Sequence, residues 1–306
     1  MELCYTPFDQ AAQNLGCPAL NGEPMSRHTT FQIGGPADRF VTVETGRQLK
    51  GLLQVLHREN LPYMILGKGS NLLVSDRGIR GAVLLLAGEF RRVELLPGGL
   101  IRAGSGASLA SVCAFAREHS LTGLEFAWGI PGSVGGAAYM DAGAYGGEMR
   151  DVVECVRHLT PEGEEGCACG EELDFSYRHS RYTGGHDVIT AVEFLLEPGD
   201  PVQIAAKMEE LMGRRKEKQP YDMPSAGSVF KRPQGAFAAA LIEECGLKGR
   251  SVGGAQVSEK HAGFIVNTGG ATCGDVLELV RQVQEEVYEK KGIRLEMEVR
   301  VTGEVK

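Results

Sequence analysis

Long hydrophobic runs are missing from this sequence of 306 residues. The longest, AVLLLA at residues 82–87, is far shorter than the roughly 20 apolar residues that a membrane-spanning helix needs. The first ten residues, MELCYTPFDQ, carry an acid at Glu2 and lack the apolar segment of a signal peptide. We therefore expect a cytoplasmic protein with no segment inserted in a membrane.

Positive charge is also in short supply. The chain has 32 lysine and arginine residues against 40 aspartate and glutamate residues, which gives a net charge of −8. Because nucleic-acid-binding proteins generally use a basic surface, this balance argues against nucleic acid as a partner. Hydrophobic residues at 42% and charged residues at 24% are typical of a folded globular chain, so disorder and coiled coil are excluded as the overall class.

Closely spaced cysteines are almost absent. None of the eight cysteines forms a C-x-x-C motif, and Cys167 and Cys169 are the one pair separated by a single residue. No histidine or cysteine close to them in sequence completes a zinc-binding set. We therefore expect free and mostly buried thiols, with no metal site and no catalytic cysteine.

Helical and strand-like patterns are mixed along the chain without a regular βαβ rhythm, which favours an α+β fold over a doubly wound sheet. Residues 1–26 show little periodicity and predict a loose extension, and the proline- and glycine-rich segment 197–201 predicts a domain junction. Apolar periodicity predicts helices over residues 48–59, 108–119, 201–218, 237–245 and 275–291. Strands are predicted over residues 40–43, 62–66, 82–86, 91–95, 100–103, 152–159, 188–196, 264–266 and 295–302.

Glycine, with 42 residues, is the residue in excess, and two glycine-rich loops stand out. Residues 67–71 directly follow a predicted strand, and residues 129–136 hold four glycines. Glycine lets main-chain N–H groups approach a phosphate closely, although tight turns between strands explain one such loop equally well. Neither loop matches the P-loop or the Rossmann fingerprint. Two loops about sixty residues apart favour one extended ligand with a diphosphate, such as a dinucleotide.

Three polar segments could carry chemistry, and each has a simpler explanation. Residues 177–182, YRHSRY, could form a solvated turn, and residues 224–233 could form an ordinary turn that exposes Ser228. In the predicted strand 295–301, Glu296 and Glu298 share a face with Arg300, which on pattern alone suggests an exposed charged face. The residues themselves leave these alternatives open.

Taken together, however, seven motifs resemble the UDP-N-acetylenolpyruvoylglucosamine reductases of cell-wall synthesis, in the shorter type without an inserted tyrosine-bearing loop. The resemblance runs from about residue 28 to the C-terminus. The motifs are HTTFQIGGPADRF (28–40), LGKGSNLLVSD (66–76), GLEFAWGIPGSVGGAAYMDAGAYGGE (123–148), YRHSRY (177–182), PSAGSVFKRP (224–233), GGAQVSEKHAGFIVN (253–267) and LEMEVRVTGE (295–304).

The resemblance implies an FAD-binding fold of the PCMH (vanillyl-alcohol-oxidase-like) type with a separate substrate-binding C-terminal domain. The implied division is a first FAD subdomain at residues 1–66 plus 296–306, a second at 67–199, and a substrate domain at 200–295. The implied reaction is the reduction of UDP-N-acetylglucosamine enolpyruvate to UDP-N-acetylmuramate, with NADPH as hydride donor and the enzyme as a monomer. The alternatives are another flavin oxidoreductase of this fold and a non-catalytic nucleotide-binding protein.

Residue roles also follow from the resemblance. It implies that Arg178, Ser228 and Glu298 are catalytic and that Lys231, Arg232 and Gln256 bind the substrate. Two positions depart from the family pattern, because Asp141 and Arg232 each stand where asparagine is usual. The residues implied to bind FAD are Gly67, Lys68, Gly69, Ser70, Asn71, Leu72, Gly129, Ile130, Pro131, Gly132, Ser133, Gly135, Gly136 and Ile189.

Overall fold

Three stretches of sequence build each of the two units into which the chain divides. Unit 1 comprises residues 1–21, 39–68 and 81–213, and unit 2 comprises residues 22–38, 69–80 and 214–306. The structure is a computed structural model and describes residues 3–304. Within that range, no helix is both long enough and apolar enough to cross a membrane.

The helices and strands mix along the chain as the sequence predicts. The helices are α1 (Thr6–Asn14), α2 (Gly46–Arg58), α3 (Leu109–Glu118), α4 (Val134–Tyr139), α5 (Pro201–Lys218), α6 (Ala238–Glu244) and α7 (Cys273–Lys291). The strands are β1 (Leu20–Pro24), β2 (Pro36–Val43), β3 (Tyr63–Leu66), β4 (Leu72–Val74), β5 (Ile79–Leu86), β6 (Val93–Leu95), β7 (Leu100–Gly104), β8 (Leu121–Thr122), β9 (Gly143–Ala144), β10 (Gly147–Glu148), β11 (Val153–Leu159), β12 (Glu165–Cys169), β13 (Val188–Leu195), β14 (Glu197–Pro198), β15 (Ser225–Ser228), β16 (Ser251–Val252), β17 (Ala255–Val257), β18 (Phe264–Asn267) and β19 (Arg300–Thr302).

Unit 1 is built on a five-stranded antiparallel sheet of order β12-β11-β13-β7-β6. Helices α3 and α4 contribute to the apolar core beside this sheet, because their buried faces carry residues such as Val112 and Val134. Ser108 begins α3 as its N-cap, and its hydroxyl accepts the N–H of Ser111 at 3.1 Å. Unit 1 also contains the parallel pair of β3 and β5, which aligns Tyr63 with Ala82.

The prediction of a loose N-terminal extension is wrong. Residues 6–14 form helix α1, which begins with Pro7 in its first turn, a position where the missing proline N–H costs nothing. Phe8 and Ala12 are fully buried in a core shared with Leu52 and Leu56 of α2. The buried face of this helix shows only Phe8 and Ala12, and these are too few apolar repeats for sequence periodicity to predict a helix.

Unit 2 is built on the antiparallel sheet β15-β18-β17-β16, with the long helix α7 and the short helix α6 contributing to its core. Thr272 and Asp275 form a capping box at the start of α7. The carboxylate of Asp76 accepts two further N–H groups there, from Cys273 at 2.7 Å and from Gly274 at 3.0 Å. These contacts fix the loop after β4 against the helix.

Two predicted strands are shorter than expected. Residues 295–302 do not form one continuous strand, because only β19 pairs regularly, in parallel with β4. Before it, Met297 makes an isolated bridge with Phe230. The strand predicted over 91–95 begins at Val93, since residues 88–91 form a 3-10 turn.

The expectation of free thiols fails at one pair. Cys155 of β11 lies directly opposite Cys169 of β12, and the two form a disulfide with their Cα atoms 4.2 Å apart. Sequence spacing could not show this pairing, because it depends on the register of two strands. The cysteines 17, 113, 245 and 273 are buried free thiols, whereas Cys4 and Cys167 are exposed.

Candidate active site

The first residue of one glycine-rich loop, Gly67, contacts the other loop within unit 1. Gly67, at the end of β3, lies so close to Ser133 that a Cβ at position 67 would overlap the Ser133 hydroxyl. That hydroxyl accepts the N–H of Gly136 at 3.3 Å and thereby caps α4. Glycine at position 67 is therefore required for the close approach of this residue to Ser133 of the second loop.

Much of the main chain in the second loop is already hydrogen-bonded. The N–H of Val134 donates to the carbonyl of Ala107 at 2.9 Å, and the N–H of Gly135 donates to the carbonyl of Ser105 at 2.8 Å. These N–H groups hold α4 in place and do not point at a ligand. The sequence-based expectation that the N–H groups of this loop converge on a phosphate is thus too broad.

Gly132 differs from Gly67, where close packing requires glycine. Its φ lies outside the left-handed region, and an added Cβ would meet only Leu109 Cδ1 at 3.6 Å and Ile130 Cγ2 at 3.8 Å, which are ordinary contacts. Neither backbone conformation nor packing therefore requires glycine here. Close approach of a ligand is the remaining physical reason for a glycine at position 132.

The neighbourhood of the loop also holds an unsatisfied polar group. Ser105 Oγ is buried and has no hydrogen-bond partner among the described residues. Its own N–H donates to the carbonyl of Thr190 at 2.9 Å, next to the buried Ile189. A buried polar atom left without a partner is costly, so the site fits a bound polar cofactor that would satisfy it.

Residues 69–72, by contrast, belong to unit 2. Gly69 has φ +61°, and a Cβ there would overlap the carbonyl oxygen of His28. Asn71 Nδ2 donates to the carbonyl of Glu298 at 3.2 Å, and the N–H of Arg300 donates to the carbonyl of Asn71 at 3.0 Å. Asn71 thus aligns the segment that carries Glu298.

The structure brings Ser228 and Glu298 together within unit 2. Ser228 ends β15, where it is exposed and lies opposite Phe264. The N–H of Glu298 donates to the carbonyl of Val229, the next residue, at 2.8 Å. Two residues seventy positions apart therefore lie on hydrogen-bonded neighbouring segments, a proximity that sequence spacing alone could not reveal.

Arg178 lies in unit 1, on a turn that is closed by a main-chain hydrogen bond between residues 176 and 179. The N–H of His179 donates to the carbonyl of Ser176 at 2.8 Å, and Arg178 between them adopts φ +59°. Its guanidinium lies 4.9 Å from the centre of the Tyr177 ring, and Nη1 donates to the carbonyl of Asp141 at 3.4 Å. This half-buried guanidinium is held from two sides.

Asp141 is an unusual neighbour for that arginine. It is fully buried at φ +44°, and its Oδ1 accepts the N–H of Arg150 at 3.0 Å. Its Oδ2 has no hydrogen-bond partner among the described residues. Burial raises the pKa of this carboxyl above its ordinary value, against the opposing effect of the Arg150 N–H.

The three residues expected to bind the substrate have partners of their own. Lys231 Nζ forms an ion pair with Glu296, and Gln256 Nε2 donates to Ser251 Oγ at 3.2 Å. The Arg232 guanidinium lies 3.9 Å from the centre of the exposed Phe237 ring. All lie in unit 2 with Ser228.

Known relatives match the chain along most of its length. A reductase of Caldanaerobacter subterraneus subsp. tengcongensis, "UDP-N-acetylenolpyruvoylglucosamine reductase", is 50% identical over 282 residues, which cover 92% of this chain and 93% of that one. The chain belongs to the UDP-N-acetylenolpyruvoylglucosamine reductase family. A second reductase of this name, from Geobacillus thermodenitrificans, is 48% identical over 285 residues and 93% of each chain.

Domain-family models and a solved structure agree with this family assignment. Residues 37–165 match the model of an FAD binding domain, and residues 219–302 match the C-terminal domain of UDP-N-acetylenolpyruvoylglucosamine reductase. The crystal structure of the reductase from Thermus caldophilus is 41% identical with a TM-score of 0.82, and the match covers 94% of this chain and 99% of that one. The predicted α+β FAD-binding fold with a separate C-terminal domain is confirmed.

Two features of this reductase site could not be predicted from its motifs. Ser105 carries no signal in sequence, because its unsatisfied hydroxyl follows from burial alone. Asp141 stands out as a departure from the family pattern, but its contact with Arg178 depends on the fold. The motifs therefore predict candidate chemical groups, whereas the contacts of Ser105 and Asp141 follow only from the fold.

Proposed function

We propose that this chain reduces the enolpyruvyl ether of UDP-N-acetylglucosamine to UDP-N-acetylmuramate, with FAD as its cofactor and NADPH as hydride donor, in the synthesis of peptidoglycan precursors. The observation that carries the proposal is its family membership: 50% identity over 92% of the chain, with Arg178, Ser228 and Glu298 all in place. The following paragraphs derive what these residues do.

The cofactor site is assigned to the two glycine-rich segments. FAD, when bound, supplies the transfer of a hydride from NADPH to the substrate's methylene carbon. Gly132 leaves room for a diphosphate, and Ser105 Oγ offers a buried hydroxyl that needs a partner. The residues proposed to bind FAD are Gly67, Lys68, Gly69, Ser70, Asn71, Leu72, Gly129, Ile130, Pro131, Gly132, Ser133, Gly135, Gly136 and Ile189.

Arg178 is proposed to bind the carboxylate of the enolpyruvyl group. Adding a hydride to the methylene carbon places negative charge on the α-carbon and the carboxylate, as an enolate. A guanidinium is always charged and can donate two parallel hydrogen bonds to a carboxylate. Its stacking on Tyr177 and its hydrogen bond to Asp141 position it before the substrate arrives. Arg178 therefore stabilises charge that develops during the reaction.

Ser228 is proposed to donate the proton that completes the reaction at the α-carbon. Its exposed position at the end of β15 lets the hydroxyl reach a substrate. Glu298, held beside Val229, is proposed to align the carboxyl end of the enolate. Without this proton the hydride addition reverses, so Ser228 commits the substrate to product.

The UDP part of the substrate is assigned to Lys231, Arg232 and Gln256. A diphosphate carries two negative charges, and the two cations lie three and four positions after Ser228 in sequence. Lys231 pairs with Glu296, so phosphate binding requires the ammonium group to exchange one anionic partner for another.

The wider setting follows from the substrate and cofactor. We place the reaction in the cytoplasm, where NADPH and nucleotide sugars are available, and assign the chain as a monomer that neither inserts in a membrane nor binds nucleic acid. We also retain the division into FAD subdomains at residues 1–66 plus 296–306 and at 67–199, with a substrate domain at 200–295, as a proposal.

Oxidation of NADPH by the purified protein, with and without UDP-N-acetylglucosamine enolpyruvate, tests the proposed function. We expect yellow protein, slow oxidation without substrate, and fast oxidation with it, with UDP-N-acetylmuramate as product. Colourless protein that cannot be reconstituted with FAD would favour a non-catalytic binding protein. Yellow protein that ignores this substrate would favour another flavin oxidoreductase.

A further inference from the structure

The hairpin of β11 and β12 gathers three cysteines at one point. Cys155 lies opposite Cys169 across the two strands, and Cys167 lies two residues before Cys169. Because side chains two residues apart in a strand share a face, all three point to the same side of the sheet. Their Sγ atoms all lie within 4.8 Å of one another.

The third cysteine is not needed for the disulfide. Cys155 and Cys169 form that bond, whereas Cys167 is a free and exposed thiol with its Sγ 3.7 Å from that of Cys169. Two thiolates bound to one tetrahedral zinc ion, with Zn–S bonds of about 2.3 Å, lie roughly 3.8 Å apart. The separation of Cys167 and Cys169 thus suits two ligands of one metal ion.

We propose that the reduced form of this three-cysteine cluster binds one soft divalent cation, such as Zn²⁺, through Cys155, Cys167 and Cys169. Two electrons and two protons from a dithiol reductant convert the Cys155–Cys169 disulfide to two thiols, and the reductant becomes a disulfide. The three thiols then each lose a proton on binding the ion, and water completes its coordination. Oxidation removes two of the three ligands, so the site exists only in reduced protein.

The surroundings of the cluster favour this assignment. β12 is an edge strand of its sheet and Cys167 is exposed, so an ion can reach the sulfurs from solvent. One divalent cation with three thiolates carries a net charge of −1. Arg157 stands directly opposite Cys167 in the register of the two strands, which places a guanidinium, also paired with Glu193 at 2.8 Å, next to that charge. Disulfides are rare in reducing compartments, where the thiol form would predominate.

Titration with Cd²⁺, a spectroscopic probe for thiolate ligands, tests the proposal. The flavin-loaded protein is reduced with a phosphine, desalted without oxygen, and followed by ultraviolet difference absorbance. We expect one Cd²⁺ per chain with a thiolate-to-cadmium charge-transfer band, which a large molar excess of Zn²⁺ diminishes by competition. Cys167→Ser should weaken binding at least tenfold, although the disulfide partners remain. Cys4→Ser is the matched control, because Cys4 is the other exposed free cysteine, and it should bind as wild type.

Three results would overturn the proposal. Reduced wild-type protein could show no thiolate band, Cys167→Ser could bind Cd²⁺ as tightly as wild type, or oxidised protein could bind as well as reduced protein. Mass analysis of thiols blocked before and after reduction shows which form is present in each titration. Any of these results would leave the hairpin with a structural disulfide and an unrelated thiol.

Discussion

Arg178 Nη1 donates a hydrogen bond to the main-chain carbonyl of Asp141 at 3.4 Å, and both residues adopt left-handed backbone conformations. The contact joins the YRHSRY turn at residues 177–182 to residue 141, which lies five positions after the glycine-rich loop at residues 129–136. The side chain of Asp141 is a buried carboxyl, and one of its oxygens has no hydrogen-bond partner among the described residues. The main chain of the same residue accepts the hydrogen bond of the arginine that is proposed to bind the substrate. The chemistry of residue 141 therefore bears on the stability of the site.

Asp141→Asn should stabilise the protein at neutral pH. Burial raises the pKa of Asp141 in the folded chain above its ordinary value of 3.8, so the charge destabilises the fold increasingly as the pH rises above the unfolded pKa, and fully above the folded pKa. The penalty disappears as the pH falls below the unfolded pKa, where the carboxyl is neutral in both states. Asparagine keeps the shape, tolerates a positive φ and can accept the Arg150 N–H. We expect Tm to rise by roughly 2 °C at pH 7.5 and to change little near pH 3.5.

Thermal unfolding of Asp174→Asn at the same two pH values provides the control for this effect. Asp174 also has a positive φ, of 47°, but it is exposed, and its ion pair with His179 lies at the surface, where such pairs contribute little to stability. Its substitution should leave Tm nearly unchanged. A lower Tm for Asp141→Asn at pH 7.5, or an equal gain at both pH values, would show that the buried charge is not the cause.

Gly132→Ala should lower the affinity for FAD at least tenfold while the protein remains folded. The added Cβ meets only ordinary contacts within the chain, so it would obstruct the ligand rather than the fold. Gly132→Val should obstruct the ligand further. Flavin content per chain and titration of the apoprotein with FAD measure the effect.

The matched control is Gly213→Ala, since a Cβ there would have no neighbour within 4 Å. Helix α5, which contains Gly213, should accept alanine readily. Full flavin content in both Gly132 variants would exclude close approach of the cofactor at residue 132.

Regular elements with many repeats could be predicted closely. Helix α5 covers residues 201–218, as expected from Ile204, Met208 and Leu211 on one face and from the cationic residues of its last turn. Helix α1 was not predicted, and only residues 300–302 of the strand predicted over 295–302 pair regularly. Their conformations depend on packing against residues distant in sequence, as the burial of Phe8 beside Leu52 illustrates.

Motifs predict the chemical groups of the candidate site, whereas the contacts of those groups within the protein could not be predicted from sequence. Lys231 pairs with Glu296 across 65 positions, and Cys155 pairs with Cys169 through strand register. Such contacts arise only when the sheets are assembled. Local sequence therefore predicts which residues carry the chemistry, and tertiary structure determines what each contacts before a ligand binds.

Changes at Lys231 and Glu296 should shift substrate affinity in opposite directions. Lys231→Ala removes a proposed phosphate contact and should raise KM severalfold with little change in kcat, as loss of uniform binding does. Glu296→Gln removes the competing anion and should lower KM, because Lys231 no longer exchanges partners. Both variants are measured by NADPH oxidation at varied substrate concentration. The same direction of change in both would contradict the exchange.

Ser228→Ala should separate the two halves of the reaction. Reduction of the flavin by NADPH needs no proton from Ser228 and should proceed at the wild-type rate. Reoxidation by the enolpyruvyl substrate should slow by about 10²–10⁴, because the enolate lacks its proton donor and hydride addition reverses. Stopped-flow absorbance of the flavin measures both steps in one preparation. Ser228→Cys should recover part of the second step, since a thiol is a stronger acid than an alcohol.

Ser225→Ala is the matched control for Ser228, because Ser225 lies at the other end of the same strand, β15. Its main-chain carbonyl accepts the Thr30 hydroxyl at 2.7 Å, a contact that alanine preserves. Both half-reactions should therefore remain near wild type in that variant. If Ser228 only shapes the turn, Ser228→Ala will match this control. Equal slowing of both half-reactions by Ser228→Ala would instead indicate a general disturbance of the site, and either outcome would remove Ser228 from the role of proton donor.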